Sequence, residues 1–254
     1  MAAELFNLTG KVALVTGGSK GLGKAMARGL AESGADIAIS SRHEDELKAA
    51  LDDILKGTGR KGCYVVADMS QRAEATKLAK TVLEKLGRID ILINNAGTNE
   101  PQAIDQITDE SWDRLLEINL SSIMALTRAV VPQMKERKWG RIIHISSIMG
   151  FVSKEGRNAY SATKSALLGL CRASALDLGK FGITVNCIAP GLFLTDLPMR
   201  LLTEQDKREF CKMTALDRTG ELRELVGPAL LLASDAGSYV TGQTIVVDGG
   251  LLSR

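Results

Sequence analysis

Tyr160 and Lys164 stand four residues apart in NAYSATKSALLG (158–169), a stretch that otherwise reads as an apolar helix. Positions four apart on a helix share a face, so both side chains address the same small region. A tyrosine hydroxyl titrates near 10, too high for an efficient base at neutrality. A neighbouring ammonium favours the phenolate and suits the hydroxyl to proton exchange with an alcohol or ketone oxygen. Taken alone, the spacing also describes an edge tyrosine beside a solvated lysine, so the remaining motifs must decide.

The second candidate is TGGSKGLGKA, residues 16–25, which satisfies three patterns at once. Gly18 to Lys24 begins a triphosphate-binding loop, but Ala25 stands where a Ser or Thr hydroxyl should hold Mg²⁺. Gly17 to Gly21 reads G-x-S-x-G and would make Ser19 a hydrolase nucleophile. That chemistry needs a histidine late in the chain, and the only two are His43 and His144. The third pattern, Gly17-x-x-x-Gly21-x-Gly23, is a turn suited to a dinucleotide pyrophosphate: glycine lets backbone N–H groups approach the phosphates, and a helix N-terminus favours their charge. A bare glycine cluster is also compatible with a tight connection.

The elements needed to position these residues are visible. KVALVT, ADIAIS, CYVVA, IDILIN, GRIIHIS, GITVNCIA and QTIVVDGG are short β-rich runs separated by helix-length segments. Their alternation predicts a parallel sheet covered on both faces, and the near-continuous apolar character of several runs fits strands buried on both sides. With no linker to divide it, the chain reads as one domain over 1–254. Its one irregular excursion, 192–216, is either a surface helix pair or a lid over a substrate.

At 254 residues and 45% hydrophobic content, the chain can bury a sizeable core. Its 32 basic and 30 acidic residues are interspersed, which gives no reason to expect nucleic acid as a partner. The start, MAAELFNLTG, lacks the pattern of an export signal, and no 18 apolar residues run together. The expectation is an unexported cytoplasmic protein with no membrane partner, an organelle lumen being left open. Cys63, Cys171, Cys187 and Cys211 are scattered without a C-x-x-C pair, so neither a disulfide framework nor a metal site is expected.

The G-x-x-x-G-x-G spacing, NNAG at 94–97 and YSATK at 160–164 together resemble the classical short-chain dehydrogenase/reductase family. The resemblance runs from Leu8 to Gly250 and includes Asp68, Asn119 in EINLSS, the pair Ser146–Ser147, Pro190–Gly191 and the terminal VDGG. It implies a single Rossmann-like, doubly wound α/β domain with a seven-stranded parallel sheet flanked by helices. It also implies a nicotinamide cofactor and hydride transfer that interconverts a secondary alcohol and a ketone. Its catalytic set would be Asn119, Ser147, Tyr160 and Lys164, with Ser147 bonding the substrate oxygen and Asn119 relaying protons through water and Lys164. His144, three residues before Ser147 on a strand, faces the other side and is expected to pack within the sheet.

Cofactor contacts implied by the resemblance are Gly17, Ser19, Lys20, Gly21, Leu22 and Gly23 in the loop, Asp68 and Met69 at the adenine, and Asn95, Ala96 and Gly97 after the fourth strand. Tyr160, Lys164, Pro190, Gly191 and Thr195 would border the nicotinamide. On residue chemistry alone, Asp68 also reads as a helix cap. An NAD-preferring enzyme places an acid at the end of the second strand. Here the sequence has Ser41 followed by Arg42, which with Lys20 could converge on a 2′-phosphate. NADP(H) is thus the expected cofactor and NAD(H) the second choice, although Ser41 with Glu44 would also make a helix capping box.

The family resemblance extends to gluconate 5-dehydrogenase-like and 3-oxoacyl-carrier-protein reductase-like members, leaving a sugar acid, a polyol or a carrier-bound ketone as small-molecule substrate. Lys138 offers a cation for an acidic carrier, but Phe181 occupies the corresponding second site, with Lys180 adjacent. A nonenzymatic NADP(H)-binding sensor is the alternative of another class. The family also implies a homotetramer built through the helices bearing Asn119 and Tyr160, where Leu126, Leu168 and Cys171 face either a partner or the sheet.

Overall fold

Seven parallel strands in the order β3-β2-β1-β4-β5-β6-β7 form the centre of the computed structural model, which describes residues 2–195 and 203–253. They are β1 (Val12–Thr16), β2 (Asp36–Ser41), β3 (Gly62–Val66), β4 (Ile91–Asn94), β5 (Gly140–Ile145), β6 (Ile183–Pro190) and β7 (Thr244–Val247). All residues of β1, β4, β5 and β6 are buried, as their apolar runs require of strands covered on both faces. β1 pairs with β2 on one side, Thr16 opposite Ser40, and with β4 on the other, Val15 opposite Ile93. The chain winds outward in both directions from β1 and β4, which opens a crevice beyond their C-terminal ends.

Alternate strand residues feed two cores. Ala13, Val15, Ile37 and Ile39 pack against α2 (Gly21–Glu32), α3 (Glu44–Leu55) and α9 (Val226–Ala233), through residues including Met26, Leu30, Leu47 and Leu232. Leu14, Ala38, Leu92 and Val185 face α4 (Arg72–Leu86), α6 (Ser122–Arg137) and α7 (Asn158–Leu178). The remaining helices are α1 (Ala2–Leu5), α5 (Asp109–Leu116) and α8 (Glu204–Met213). Leu126, Leu168 and Cys171 belong to the second core, so these three residues face the sheet and not a partner.

From Asp109 to Arg137 the chain is helical throughout, and its length and composition would suffice to cross a membrane. Here its apolar side, including Leu115, Ile123, Leu126 and Val130, is buried within the fold. Between α5 and α6 one π-helical turn, Glu117–Ser121, interrupts the α-helical pattern and carries Asn119. Of the excursion expected at 192–216, residues 196–202 lie outside the described residues; the remainder includes α8 and an isolated pairing of Phe193 with Gly220. All four cysteines are free thiols, with Cys171 and Cys187 buried.

Candidate active site

β1 to β6 all deliver residues at or just after their C-terminal ends to one cavity of about 510 Å³. Its floor is the glycine turn between β1 and α2, where Gly17 and Gly21 have φ of +63° and +56°, a conformation that favours glycine. Both line the cavity. A Cβ on Gly17 would sit 2.9 Å from Asn95 Nδ2. Gly23 does not line the cavity as expected: its hydrogen faces the turn itself, where a Cβ would fall 2.3 Å from the Gly17 carbonyl oxygen. The third glycine is therefore a packing residue that lets α2 approach β1.

Asn95 ties this turn to β4. Its Nδ2 donates to the carbonyls of Thr16 (2.9 Å) and Gly17 (3.2 Å), while the Thr16 hydroxyl accepts from the backbone N–H groups of Asn95 and Ala96 (3.0 Å each). Thr16 escaped the sequence reading because one threonine at a strand end carries no distinguishing pattern. At the start of α2 the Lys20 side chain makes no capping bond, so the first N–H groups and the helix dipole are directed to the turn. Such a cradle fits a pyrophosphate.

The far end of the cavity holds Lys20, Ser41, Arg42, Asp68 and Met69. Ser41 lies inside β2, and its buried Oγ has no hydrogen-bond partner, whereas the residue that flanks α3 is His43. Glu44 accepts from the Tyr64 hydroxyl at 3.0 Å. Ser41 and Glu44 therefore do not form a capping box, and the Ser41 hydroxyl is available to a ligand beside the exposed Arg42. Asp68 does not cap α4, which follows Gln71; its Oδ1 accepts from the N–H of Ser70 at 2.9 Å in a local turn.

Glu46, absent from the sequence reading, also lines this end. Lys20 Nζ is 3.1 Å from its Oε1, and the Ser19 hydroxyl is 3.4 Å from its Oε2. Lys20 is thus held by an acid, and only Arg42 of the two expected cations lacks a carboxylate this close among the described residues.

At the other end β5 runs out into Ser146 and Ser147, facing Tyr160 and Lys164 on α7. The two serines have different work. Ser146 Oγ donates to the Lys164 carbonyl at 2.8 Å and fastens α7 to the sheet. Ser147 Oγ accepts from the N–H of Met149 at 3.1 Å, and its hydroxyl near Tyr160 draws the phenol pKa down. Burial is the larger influence and leaves Tyr160 above its ordinary value.

Lys164 is buried, donates to the Ile145 carbonyl at 2.8 Å, and lies 5.6 Å from the centre of the Tyr160 ring. Burial lowers its pKa to about 8. The expected depression of the tyrosine by the lysine is not what this geometry gives; the groups that lower Tyr160 are Ser147 and Arg157. His144 is fully buried and meets Asn94 Nδ2 through Nδ1 at 3.0 Å. Desolvation, helped by the Lys164 charge, drives its pKa to about 4. It is a neutral residue of the sheet at physiological pH.

The π turn aims Asn119 at the same end without exposing it. Its Oδ1 accepts from the Thr98 N–H (2.9 Å), and its Nδ2 donates to the Thr98 carbonyl (2.9 Å) and the Thr163 hydroxyl (3.2 Å). A Cβ on Gly97 would stand 3.3 Å from Asn119 Oδ1 and 3.4 Å from Lys164 Nζ, so the two polar groups converge over that glycine. Pro190, Gly191 and Thr195 close the cavity, with the Gly191 N–H bonded to Val247 at 2.8 Å. Phe193 and Arg114, neither of them expected, join the lining. Arg114 pairs with Glu100, and Gly220 leaves the space that the Phe193 ring fills.

A doubly wound sheet, a glycine cradle at its switch point and a Ser–Tyr–Lys cluster within the same cavity define an oxidoreductase that uses a nicotinamide dinucleotide. Comparison with known proteins agrees. The short chain dehydrogenase family model matches residues 11–206, and this chain belongs to that family. It is 35% identical over 249 residues to gluconate 5-dehydrogenase of Gluconobacter oxydans, covering 98% of this chain and 97% of that one. It is 36% identical over 244 residues to 3-oxoacyl-acyl-carrier-protein reductase of Chlamydia muridarum, covering 96% and 98%. A crystal structure of gluconate 5-dehydrogenase from Burkholderia cenocepacia, in complex with NADP and tartrate, superimposes with a TM-score of 0.94 at 35% identity, covering all of both chains. The chain is an oxidoreductase acting between CH–OH and carbonyl groups with NAD(P).

Proposed function

We propose that this enzyme prefers NADP(H) and interconverts a secondary alcohol and a ketone on a polyhydroxy acid. The observation that carries the reading is the two-ended cavity, with Ser147, Tyr160 and Lys164 at one end and the unpartnered Ser41 hydroxyl beside Arg42 at the other. Gly17, Ser19, Gly21 and Leu22 hold the pyrophosphate, Asp68 and Met69 the adenine, and Asn95 to Gly97 with Pro190, Gly191 and Thr195 shape the nicotinamide end. Bound NADP(H) supplies the carbon that gives or receives hydride. Tyr160 exchanges the proton with the substrate oxygen, and Ser147 donates a hydrogen bond to it. Lys164 supplies positive charge beside the phenol, and Asn119 fixes the Thr98 backbone against the Lys164 region.

The sugar-acid preference is supported by two similar proteins named gluconate 5-dehydrogenase, one of them crystallised with the hydroxy acid tartrate. A carrier-bound substrate is the second reading. Its support is a surface where Lys135 and Lys180 lie over the Phe181 ring at 4.6 and 5.4 Å. Steady-state rates with NADPH and NADH on 5-keto-D-gluconate, L-sorbose and a 3-oxoacyl thioester test the assignment. Highest kcat/KM on the keto acid with NADPH is expected; preference for the thioester selects the second reading, and no turnover on any of them favours a sensor.

We further assign the enzyme to the cytoplasm, without a membrane partner, as a homotetramer. Leu176 on α7 and Tyr239 near β7 are largely exposed apolar residues suited to subunit contacts. Sedimentation showing only monomer at micromolar concentration would remove the tetramer.

A further inference from the structure

Phe193 lines the cavity yet is only 4% exposed, because most of its surface is packed into the core that α2 and α9 cover. Tyr160 and Lys164 stand on α7, which covers the opposite face of the sheet. Phe193 follows β6, and Ser147 follows β5, its neighbour in the sheet. This end of the cavity is therefore bounded by α7 on one side and by Phe193 on the other.

The ring leans on Gly220. Phe193 and Gly220 form an isolated parallel pairing, in which the Gly220 N–H donates to the Leu192 carbonyl at 2.9 Å. Both sides of the pairing are pinned. The Phe193 carbonyl accepts from the Thr195 N–H at 2.9 Å. Beside Gly220, Arg218 makes two bonds of 2.7 Å to the Glu224 carboxylate, which also accepts from the Glu221 N–H at 2.8 Å. A Cβ on Gly220 would lie 2.5, 2.7 and 2.8 Å from Cε1, Cζ and Cδ1 of Phe193, separations at which the ring has to move. Gly220 has no left-handed φ, so its backbone does not call for glycine. The ring of Phe193 does. With the core packed behind it, the open space that this ring borders is the cavity.

A nicotinamide is a flat ring that reacts at one face, so the other face has to be held. We propose that Phe193 is a positioning residue for the nicotinamide: its side chain backs the face turned away from Ser147 and Tyr160, and Gly220 keeps it withdrawn from the space the nicotinamide needs. This rests on the reading that the Ser147–Tyr160–Lys164 end receives the nicotinamide. Contact between two aromatic rings is favourable beyond the area it buries, and a wall already fixed by packing loses no freedom when the cofactor arrives. Phe193 and Gly220 are thus coupled by size, and neither sequence motif nor cavity shape alone pairs them.

The test is calorimetric titration of NADP⁺ and of 2′-phospho-ADP-ribose, the same molecule without its nicotinamide, into wild type, Phe193→Val, Gly220→Ala and the double variant. Gly220→Ala should weaken NADP⁺ binding about fivefold to a hundredfold, as overpacking of a filled site does. Phe193→Val should weaken it about twofold to tenfold through loss of the ring contact. Binding of the fragment should stay within about twofold of wild type in both. Valine lacks all three ring atoms that a Cβ at 220 would meet, so the double variant should bind NADP⁺ as Phe193→Val does. Unchanged NADP⁺ binding, losses shared equally by the fragment, or losses that multiply in the double variant overturn the proposal. If Gly220→Ala does not fold, Phe193→Val and Phe193→Leu decide: a loss confined to NADP⁺ and smaller in the leucine variant supports the wall, and any other pattern overturns it. Lys164→Met tests the underlying reading by itself. Weakening confined to NADP⁺ supports the nicotinamide at this end, so that unselective Phe193 variants then overturn the wall alone; equal weakening of both ligands removes the reading and the wall with it.

Discussion

The two ends of the cavity are built on opposite physical terms. At the Tyr160 end the polar groups are enclosed and tied to the frame: Lys164 to Ile145, Ser146 to Lys164, and Asn119 to Thr98 and Thr163. At the Arg42 end the charges stand in solvent, and the ion pair of Lys20 with Glu46 there has both partners about half exposed. Enclosure strengthens electrostatics and fixes geometry, whereas solvent screens charge and leaves it adjustable. The enclosed end suits a reaction common to a family; the exposed end suits a preference that a few substitutions can reverse.

The largest effect should come from the enclosed end. Tyr160→Phe removes the hydroxyl beside Ser147 and should cut kcat by about a hundredfold or more, since general acid/base catalysis contributes at least that much. Fluorescence titration should find the NADPH Kd within about threefold of wild type, because the pyrophosphate cradle is untouched. A rate above about a tenth of wild type would remove Tyr160 from proton transfer. The exposed end should respond next. Ser41→Asp with Arg42→Ile should shift the NADP(H)/NAD(H) ratio of kcat/KM by roughly tenfold to a hundredfold, through loss of one charge-assisted bond and gain of a repelling carboxylate. Equal ratios before and after the change would mean that Arg42 is only a solvated residue at the start of α3.

The same contrast explains what the sequence made legible. The strands were readable because a sheet buried on both faces must be apolar throughout, and all seven runs became strands. Tyr160, Lys164 and the glycine turn were readable because their chemistry fixes a local spacing. Three features were not. The π turn at Asn119 depends on packing between helices, since EINLS by itself continues a helix as readily. Glu46 reaches Lys20 across the gap between two helix starts, a contact that no local pattern encodes. For Tyr160, the spacing correctly brought Lys164 near but could not reveal that burial dominates, with Ser147 and Arg157 as the groups that oppose it.

Burial of Lys164 gives a further prediction with a definite sign. Its folded pKa, about 8, is below the ordinary lysine value of 10.5. Between those values the unfolded chain binds more protons, so this residue's contribution to stability rises with pH across the window and is flat below 8. Tyr160 is raised above its ordinary value of 10, so it adds no slope below pH 10. Urea unfolding of wild type and Lys164→Met from pH 7 to 10 should show the wild type gaining on the variant by at most about 1.4 kcal/mol per pH unit above 8. Parallel curves would mean that Lys164 is solvated enough to keep its ordinary pKa.

The smallest effect should come from Glu46, and it bears most directly on the exposed end. Lys20 can serve a 2′-phosphate only in competition with Glu46, whose carboxylate lies 3.1 Å away and would itself repel the phosphate. Glu46→Gln removes both obstacles and keeps the shape of the side chain. Because the pair is about half exposed, its strength is limited to that of a surface ion pair, about 0–1 kcal/mol. The Kd for NADPH should therefore fall only about twofold to fivefold. The gain should shrink as salt is raised from 50 to 300 mM, since the Debye length that screens exposed charges falls from about 14 Å to about 6 Å over that range. NADH, which lacks the 2′-phosphate, should bind the variant as it binds wild type. Titrations of both cofactors at both salt concentrations separate the possibilities: a selective, salt-sensitive gain for NADPH identifies Glu46 as the brake on Lys20, and an equal change for both cofactors would assign it to the shape of the glycine turn instead.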